Sequence, residues 1–108
     1  MTIDNADHLR DASPWVAEKN PVFLAILGKL AEELGELQAA VARCIIQGAS
    51  GAHPVTGKPN LDWLFEEIAD VSNMISFARA YFQHDATAFF KRVQRKERHI
   101  KQWLEQIS

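Results

Sequence analysis

From Phe23 onward the apolar residues fall three and four apart: Phe23, Leu27, Leu30, Leu34, Leu37, Val41, Cys44 and Ile45. That is the period of one face of an α-helix. Asn20-Pro21 in front supplies an N-cap residue followed by a proline at the first helical position. The pattern stops near Gly48. A second stripe, Leu61, Leu64, Ile68, Val71, Ile75, Ala78 and Phe82, begins behind Pro59-Asn60 and ends at His84-Asp85. A last helix follows from about Ala86, with Asp85 as its N-cap and Phe89, Val93, Ile100, Leu104 and Ile107 on its apolar side. No segment alternates with period two, so the fold class is all-α.

Two stretches fall outside these helices. Residues 1 to 19 are polar, weakly patterned and broken at Ser13-Pro14, which predicts a loose arm or short helix anchored by Trp15, ahead of a single helical domain over residues 20–108. The segment Gln47 to Asn60 holds three glycines and two prolines and reads as a loop. Unstructured loops of roughly 12 to 15 residues are uncommon and often functional. A lid or substrate-contacting element and a flexible connector are both open readings.

Composition narrows the partners. At 108 residues the chain is one domain, small enough that oligomerisation would help it bury apolar surface. A net charge of −2 gives no overall pull toward nucleic acid or an anionic membrane. The single cysteine, Cys44, excludes an intramolecular disulfide and falls on the apolar stripe, where an inert core thiol is expected. No apolar run approaches the roughly 20 residues of a membrane span, and the acidic start lacks the basic opening of a signal peptide. The expectation is a cytoplasmic protein.

Charge placement is more informative than its sum. Glu32-Glu33-Leu34-Gly35-Glu36 returns one helix later as Glu66-Glu67-Ile68-Ala69-Asp70, both reading Glu-Glu-x-x-acid. Stepping about 100° per residue puts Glu33 roughly 70° from the centre of the first stripe, Glu36 roughly 130°, and Glu32 almost opposite. Glu67, Asp70 and Glu66 take nearly the same offsets on the second helix. Two such helices side by side would pool the carboxylates of Glu33, Glu36, Glu67 and Asp70, which is unfavourable unless a cation sits among them. Glu32 and Glu66 point outward, to support that group or merely to be solvated. Oxygen donors without His or Cys favour Mg²⁺, with Mn²⁺ as the other fit. A di-iron site would need Glu-x-x-His, and no His follows a Glu by three. No P-loop and no strand-turn nucleophile is present.

Two further features bear on ligands. Trp63, Met74, Phe77 and Tyr81 form a second apolar set beside the acids of the second helix, either a subunit interface or core, or the lining of a pocket for a flat apolar group. The last helix carries Lys91, Arg92, Arg95, Lys96, Arg98 and Lys101, half of all the lysine and arginine. It is either a solvated face or a source of positive charge for an anionic ligand.

The paired acidic segments resemble the MazG-like branch of the all-α nucleoside triphosphate pyrophosphatases, whose pattern is EExxE, a spacer, then ExxD. The resemblance covers roughly residues 20 to 104. It implies a four-helix-type bundle assembled as a homodimer or homotetramer, and Mg²⁺ held by Glu33, Glu36, Glu67 and Asp70. It also implies hydrolysis of a nucleoside triphosphate to the monophosphate and pyrophosphate. The stretch from His53 to Trp63 looks like a loop of phage-type members associated with purine deoxynucleotides, which brings Lys58 and Trp63 forward as substrate contacts. The spacer is slightly longer than in most members. The family tends to carry a Lys and an Asn near the C-terminal part of the site; here no Asn follows Asn73, leaving Asn73, Arg95 and Lys96 as the matching candidates. The competing class is a non-catalytic helical oligomerisation or interaction module, its acids a solvated face and its basic helix a partner contact.

Overall fold

The computed structural model describes residues 14–108. Its helices are α1 (Pro21–Gln47), α2 (Asn60–Phe82) and α3 (Ala86–Ile107), and among the described residues the only extended pairing is one bridge between Ala52 and Pro59. The chain is all-α. The boundaries follow local chemistry. Asn20 Oδ1 accepts from the backbone N–H groups of Val22 and Phe23 at 2.9 and 3.1 Å, and Pro21 has no N–H to leave unpaired. Asp85 caps α3 in the same way, accepting from Thr87 and Ala88.

The loop between α1 and α2 has structure of its own. His53 N–H donates to the Lys58 carbonyl and Gly57 N–H to the His53 carbonyl, while His53 Nδ1 accepts from the N–H groups of Val55 and Thr56. Its two ends are clasped by Asn60, which is 1% exposed. The Asn60 side chain donates to the Gly48 carbonyl at 2.9 Å, its N–H donates to the Gly51 carbonyl, and Cys44 Sγ donates to its carbonyl. A Cβ on Gly51 would stand 2.6 Å from the Gln47 carbonyl oxygen, so the clasp requires glycine there.

α1 and α2 form an antiparallel hairpin. Phe23, at the start of α1, packs edge-on against Tyr81 and Phe82 at the end of α2, with centroids 5.9 and 4.9 Å away, while Cys44 at the other end meets Asn60. The seam is built from Ile26, Leu30, Glu33, Leu37, Ala40 and Cys44 on α1 and from Asn60, Leu64, Glu67, Val71, Met74 and Ala78 on α2, every one buried or half-buried. Both sets run 4-3-4-3-4. The seam is therefore rotated from the centre of each apolar stripe, so that Leu27, Leu34 and Val41 on α1 and Leu61, Ile68 and Ile75 on α2 stay 37–46% exposed. Each stripe is wide enough for two surfaces, and the hairpin uses one.

α3 leaves this hairpin. At the elbow, Gln83 takes φ 52 and donates to the Arg79 carbonyl; the Arg79 guanidinium lies 3.5 Å from the Phe89 ring, and the His84 ring meets Phe89 edge-on. Beyond that elbow α3 packs against neither α1 nor α2. The radius of gyration, 20.0 Å, reflects this; a compact chain of this length would have about 13 Å. One chain closes no bundle among its described residues. Trp15 is 86% exposed in the single chain, and residues 1–13 of the expected arm lie outside the described residues. None of the helices described is long and apolar enough to cross a membrane.

Candidate metal centre

The seam pattern puts an acid where an apolar residue would otherwise pack. Glu33 follows Ile26 by seven and precedes Ala40 by seven, so it points at α2, and Glu67 occupies the equivalent place between Asn60 and Met74. Glu36 and Asp70, each three residues further on, come out on one and the same flank of the antiparallel pair. The four side chains each bring one carboxylate oxygen to within 4.8 Å of the others. Glu33 is 8% exposed, Glu67 half-buried, and Glu36 and Asp70 exposed. The group thus has a dry floor and an open mouth.

Each floor carboxylate is held by one oxygen. Lys29 Nζ lies 3.1 Å from Glu33 Oε1 and 3.3 Å from Glu32 Oε1, and Trp63 Nε1 donates to Glu67 Oε1 at 3.2 Å. The other oxygens, Glu33 Oε2 and Glu67 Oε2, are buried without a hydrogen-bond partner. Leaving such an atom unsatisfied costs about 1–3 kcal/mol, and more when it is charged. The repulsion registers at the mouth: the Glu33 charge, then partial desolvation, then Glu67 and Glu32, push the Glu36 carboxyl above its ordinary value, with Lys29 pulling the other way. Lys29 is itself held above the ordinary lysine value, first by its hydrogen bond to Glu33 and then by Glu32.

These features fit a hard divalent cation. Oxygens on opposite sides of Mg²⁺ lie about 4.2 Å apart and around Ca²⁺ about 4.8 Å, so the cluster is at the right scale with small side-chain movement. The donors are all carboxylates, and a cation among them would satisfy the two orphaned oxygens and remove the repulsion together.

The remaining candidates divide. Glu32 pairs with Lys29, and Glu66 with Lys58 at 2.6 Å. Lys58 Nζ also lies 5.8 Å from the Trp63 ring, so Lys58, Trp63 and Glu66 gather at the loop end of the cluster. Asn73 is exposed on α2. Arg95 and Lys96 are on α3, which the single chain does not bring to the hairpin; Arg95 lines a shallow basic groove on α3 with Lys91, Arg92 and Arg98. Sequence reasoning missed two cations. Lys29 was legible, four residues before Glu33 and three before Glu32. Arg43, whose guanidinium sits 4.3 Å from the Trp63 ring, is placed by helix pairing and carries no local signal.

Fold and site together define a class: a helical hairpin carrying a four-carboxylate cluster with a buried floor. No protein-family model, curated protein or solved structure matches the chain.

Proposed function

We propose that the chain is a Mg²⁺-dependent nucleoside triphosphate pyrophosphohydrolase, an acid anhydride hydrolase that converts a (deoxy)nucleoside triphosphate to the monophosphate and pyrophosphate. The observation that carries this reading is the pair of buried, unpartnered oxygens, Glu33 Oε2 and Glu67 Oε2, converging with Glu36 and Asp70. The choice of reaction rests on the resemblance of the paired acidic motifs, which the cluster supports by placing those same four residues together.

Mg²⁺, or Mn²⁺, held by Glu33, Glu36, Glu67 and Asp70 would neutralise the phosphate oxygens and act as a Lewis acid at the reacting phosphoryl group. The protein's own groups do the rest. Lys29 and Trp63 fix the floor carboxylates so that their free oxygens face the cluster. Water attacks the α-phosphorus, a carboxylate of the cluster takes its proton, the bond to the bridging oxygen breaks, and pyrophosphate leaves. At the loop end, Lys58 and Arg43 place positive charge around Trp63, whose ring offers a flat apolar surface beside the acids. Purine deoxynucleotides are the first substrates to try.

The test is pyrophosphate release across canonical and modified nucleotides, with and without Mg²⁺, on wild type and on Glu36→Gln and Asp70→Asn. Metal-dependent release on at least one nucleotide, lost in both variants with the helical signal unchanged, is the expected outcome. Absence of metal-dependent release on every nucleotide would favour the interaction module, whose specific support is the basic, unpartnered α3.

A further inference from the structure

Of the lysines and arginines on α1, α2 and the loop between them, Arg43 alone lacks a polar partner among the described residues. Lys29 pairs with Glu32 and Glu33, Lys58 pairs with Glu66, and Arg79 donates from Nε to His84. The Arg43 guanidinium lies 4.3 Å from the centroid of the Trp63 ring. That contact uses the face of the guanidinium and leaves its N–H edge to a ligand.

Its position is fixed from the acidic cluster outward. Trp63 Nε1 donates to Glu67 Oε1 and Arg43 lies over Trp63, so contacts run unbroken from the floor of the cluster to the guanidinium. Along α1, Arg43 follows Glu36 by seven residues, two turns or about 10 Å, and so emerges on the same flank. Beside it is a shallow groove of about 270 Å³ lined by Ala39, Ala42, Arg43, Ile46 and Gln47. Two alanines make the floor, Ile46, 81% exposed, makes an apolar wall, and Gln47, four residues on from Arg43, can converge with it on one ligand. A phosphate subsite would gather several cations or N–H donors. One guanidinium and one carboxamide at the rim of an apolar floor suit a planar polar ring instead.

We propose that this groove holds the base of the nucleotide, and that the base is a 6-oxopurine, guanine or hypoxanthine, read by Arg43 together with Gln47, which rests on the pyrophosphohydrolase reading for the place of the triphosphate. Arg43 donates to O6 and N7, the pairing arginine makes with guanine, and Gln47 Oε1 accepts from N1–H. Adenine carries an amino group in place of O6, so donor would face donor and the guanidinium would lose an acceptor. A pyrimidine has no N7 for the second bond. The two turns between Glu36 and Arg43 leave room for the sugar that separates base from α-phosphorus.

The experiment is a calorimetric titration, with Mg²⁺ present, of the full-length protein with the α,β-methylene analogues of dGTP and dATP and with inorganic tripolyphosphate, run beside pyrophosphate release from dGTP and dATP. Wild type should bind the guanine analogue about 5–150-fold more tightly than the adenine analogue, the discrimination of one good bidentate pair. Arg43→Met should erase that preference while tripolyphosphate binds as before, and Arg43→Gln should turn it toward adenine, because glutamine pairs with N6 and N7. Gln47→Met, which leaves the contact between Arg43 and Trp63 in place, should reduce the preference by a smaller factor, and it carries the test where an Arg43 variant loses its circular-dichroism helix signal. Equal binding of the two analogues by wild type would overturn the assignment. So would a loss in Arg43→Met that is the same for both analogues and for tripolyphosphate, which would put the guanidinium on phosphate. Release separates the base site from the reaction. Base-selective, Arg43-dependent binding without turnover of either nucleotide would remove the reaction and keep the base site, whereas turnover of both without preference would do the reverse. A protein that binds none of the three probes would overturn both.

Discussion

The two flanks of the α1–α2 hairpin are made by the same pair of helices and the same 4-3 spacing, yet they are incomplete in opposite ways. One gathers four carboxylates with two buried oxygens unsatisfied, and the other carries exposed apolar residues, among them Leu27, Leu34, Val41, Leu61, Ile68 and Ile75, that no described residue buries. A cation would remove the first deficit, and burial against another apolar face the second. A hairpin stabilised only by its own seam has little to spare, since just Ile26, Ala40 and Val71 are fully buried apolar residues in it. A cation on one flank or an apolar partner on the other would therefore add to a small margin, and substitutions on the two flanks should respond to different additions.

The acidic flank should show the largest effect. Glu36→Gln and Asp70→Asn each remove a direct ligand to the proposed cation, and the loss in turnover should exceed the about 10–100-fold typical of groups that only orient ligands. Steady-state pyrophosphate release at saturating Mg²⁺ measures it, and near-wild-type turnover in either variant would remove the metal centre from the mechanism.

A seam substitution and a flank substitution separate next. Ile26→Ala should destabilise the fold by about 2–5 kcal/mol at every protein concentration, because Ile26 is 6% exposed within the chain itself. Leu34→Ala, 46% exposed in the single chain, should lower the melting temperature by an amount that depends on protein concentration. Denaturation at two concentrations tenfold apart distinguishes them; equal dependence would mean that the apolar flank is simply solvated.

Trp63→Phe keeps an aromatic ring but removes the N–H that holds Glu67 Oε1. Mg²⁺ affinity, read by titration calorimetry or by metal-induced thermal shift, should weaken by about 10–100-fold. The oligomer mass should not change, which ties the effect to the acidic flank alone.

The pH dependence of the metal-free protein carries a definite sign. Because the Glu36 pKa is raised in the fold, the folded state keeps that proton where the unfolded chain has lost it. The contribution of this group to stability is then fully present below the ordinary carboxylate value of 4.5 and is lost as pH rises through the raised value. Lys29 works in a separate window: its raised pKa contributes stability present below 10.5 and lost as pH rises through the higher value. Melting temperatures from pH 4 upward without metal should show the acid slope, and Glu36→Gln or saturating Mg²⁺ should flatten it.

Much of this comparison was legible in the chain, and the part that was not has a physical cause. Asn20-Pro21, Gly48 and Asp85 marked the helix ends through local backbone chemistry, and the repeated Glu-Glu-x-x-acid set the carboxylates at equivalent places because helical period alone fixes their offsets. The rotation of the seam was hidden: one broad apolar stripe serves two neighbours, and spacing does not say which neighbour takes which half. Glu33, about 70° from the stripe centre, proved to sit in the seam itself for that reason. Contacts made across the loop, such as Arg43 on Trp63 and Asn60 on Gly48, depend on how the helices pair and leave no trace in local spacing.

The smallest effect belongs to the ion pair at the border of the site. Lys58 and Glu66 are 2.6 Å apart but 41% and 59% exposed, so water and salt screen them and a double-mutant cycle of Lys58→Met with Glu66→Gln should give a coupling of no more than about 1 kcal/mol in stability. The informative quantity is how the two single variants differ in nucleotide hydrolysis. If Lys58 serves only to pin the loop to α2, then Lys58→Met and Glu66→Gln lose the same contact and should shift KM alike. If its ammonium, close to Trp63, meets the triphosphate, Lys58→Met should raise KM while Glu66→Gln, which frees the lysine, should leave KM unchanged or lower it. Equal shifts would return Lys58 to a structural role and leave Arg43 as the cation beside the Trp63 ring.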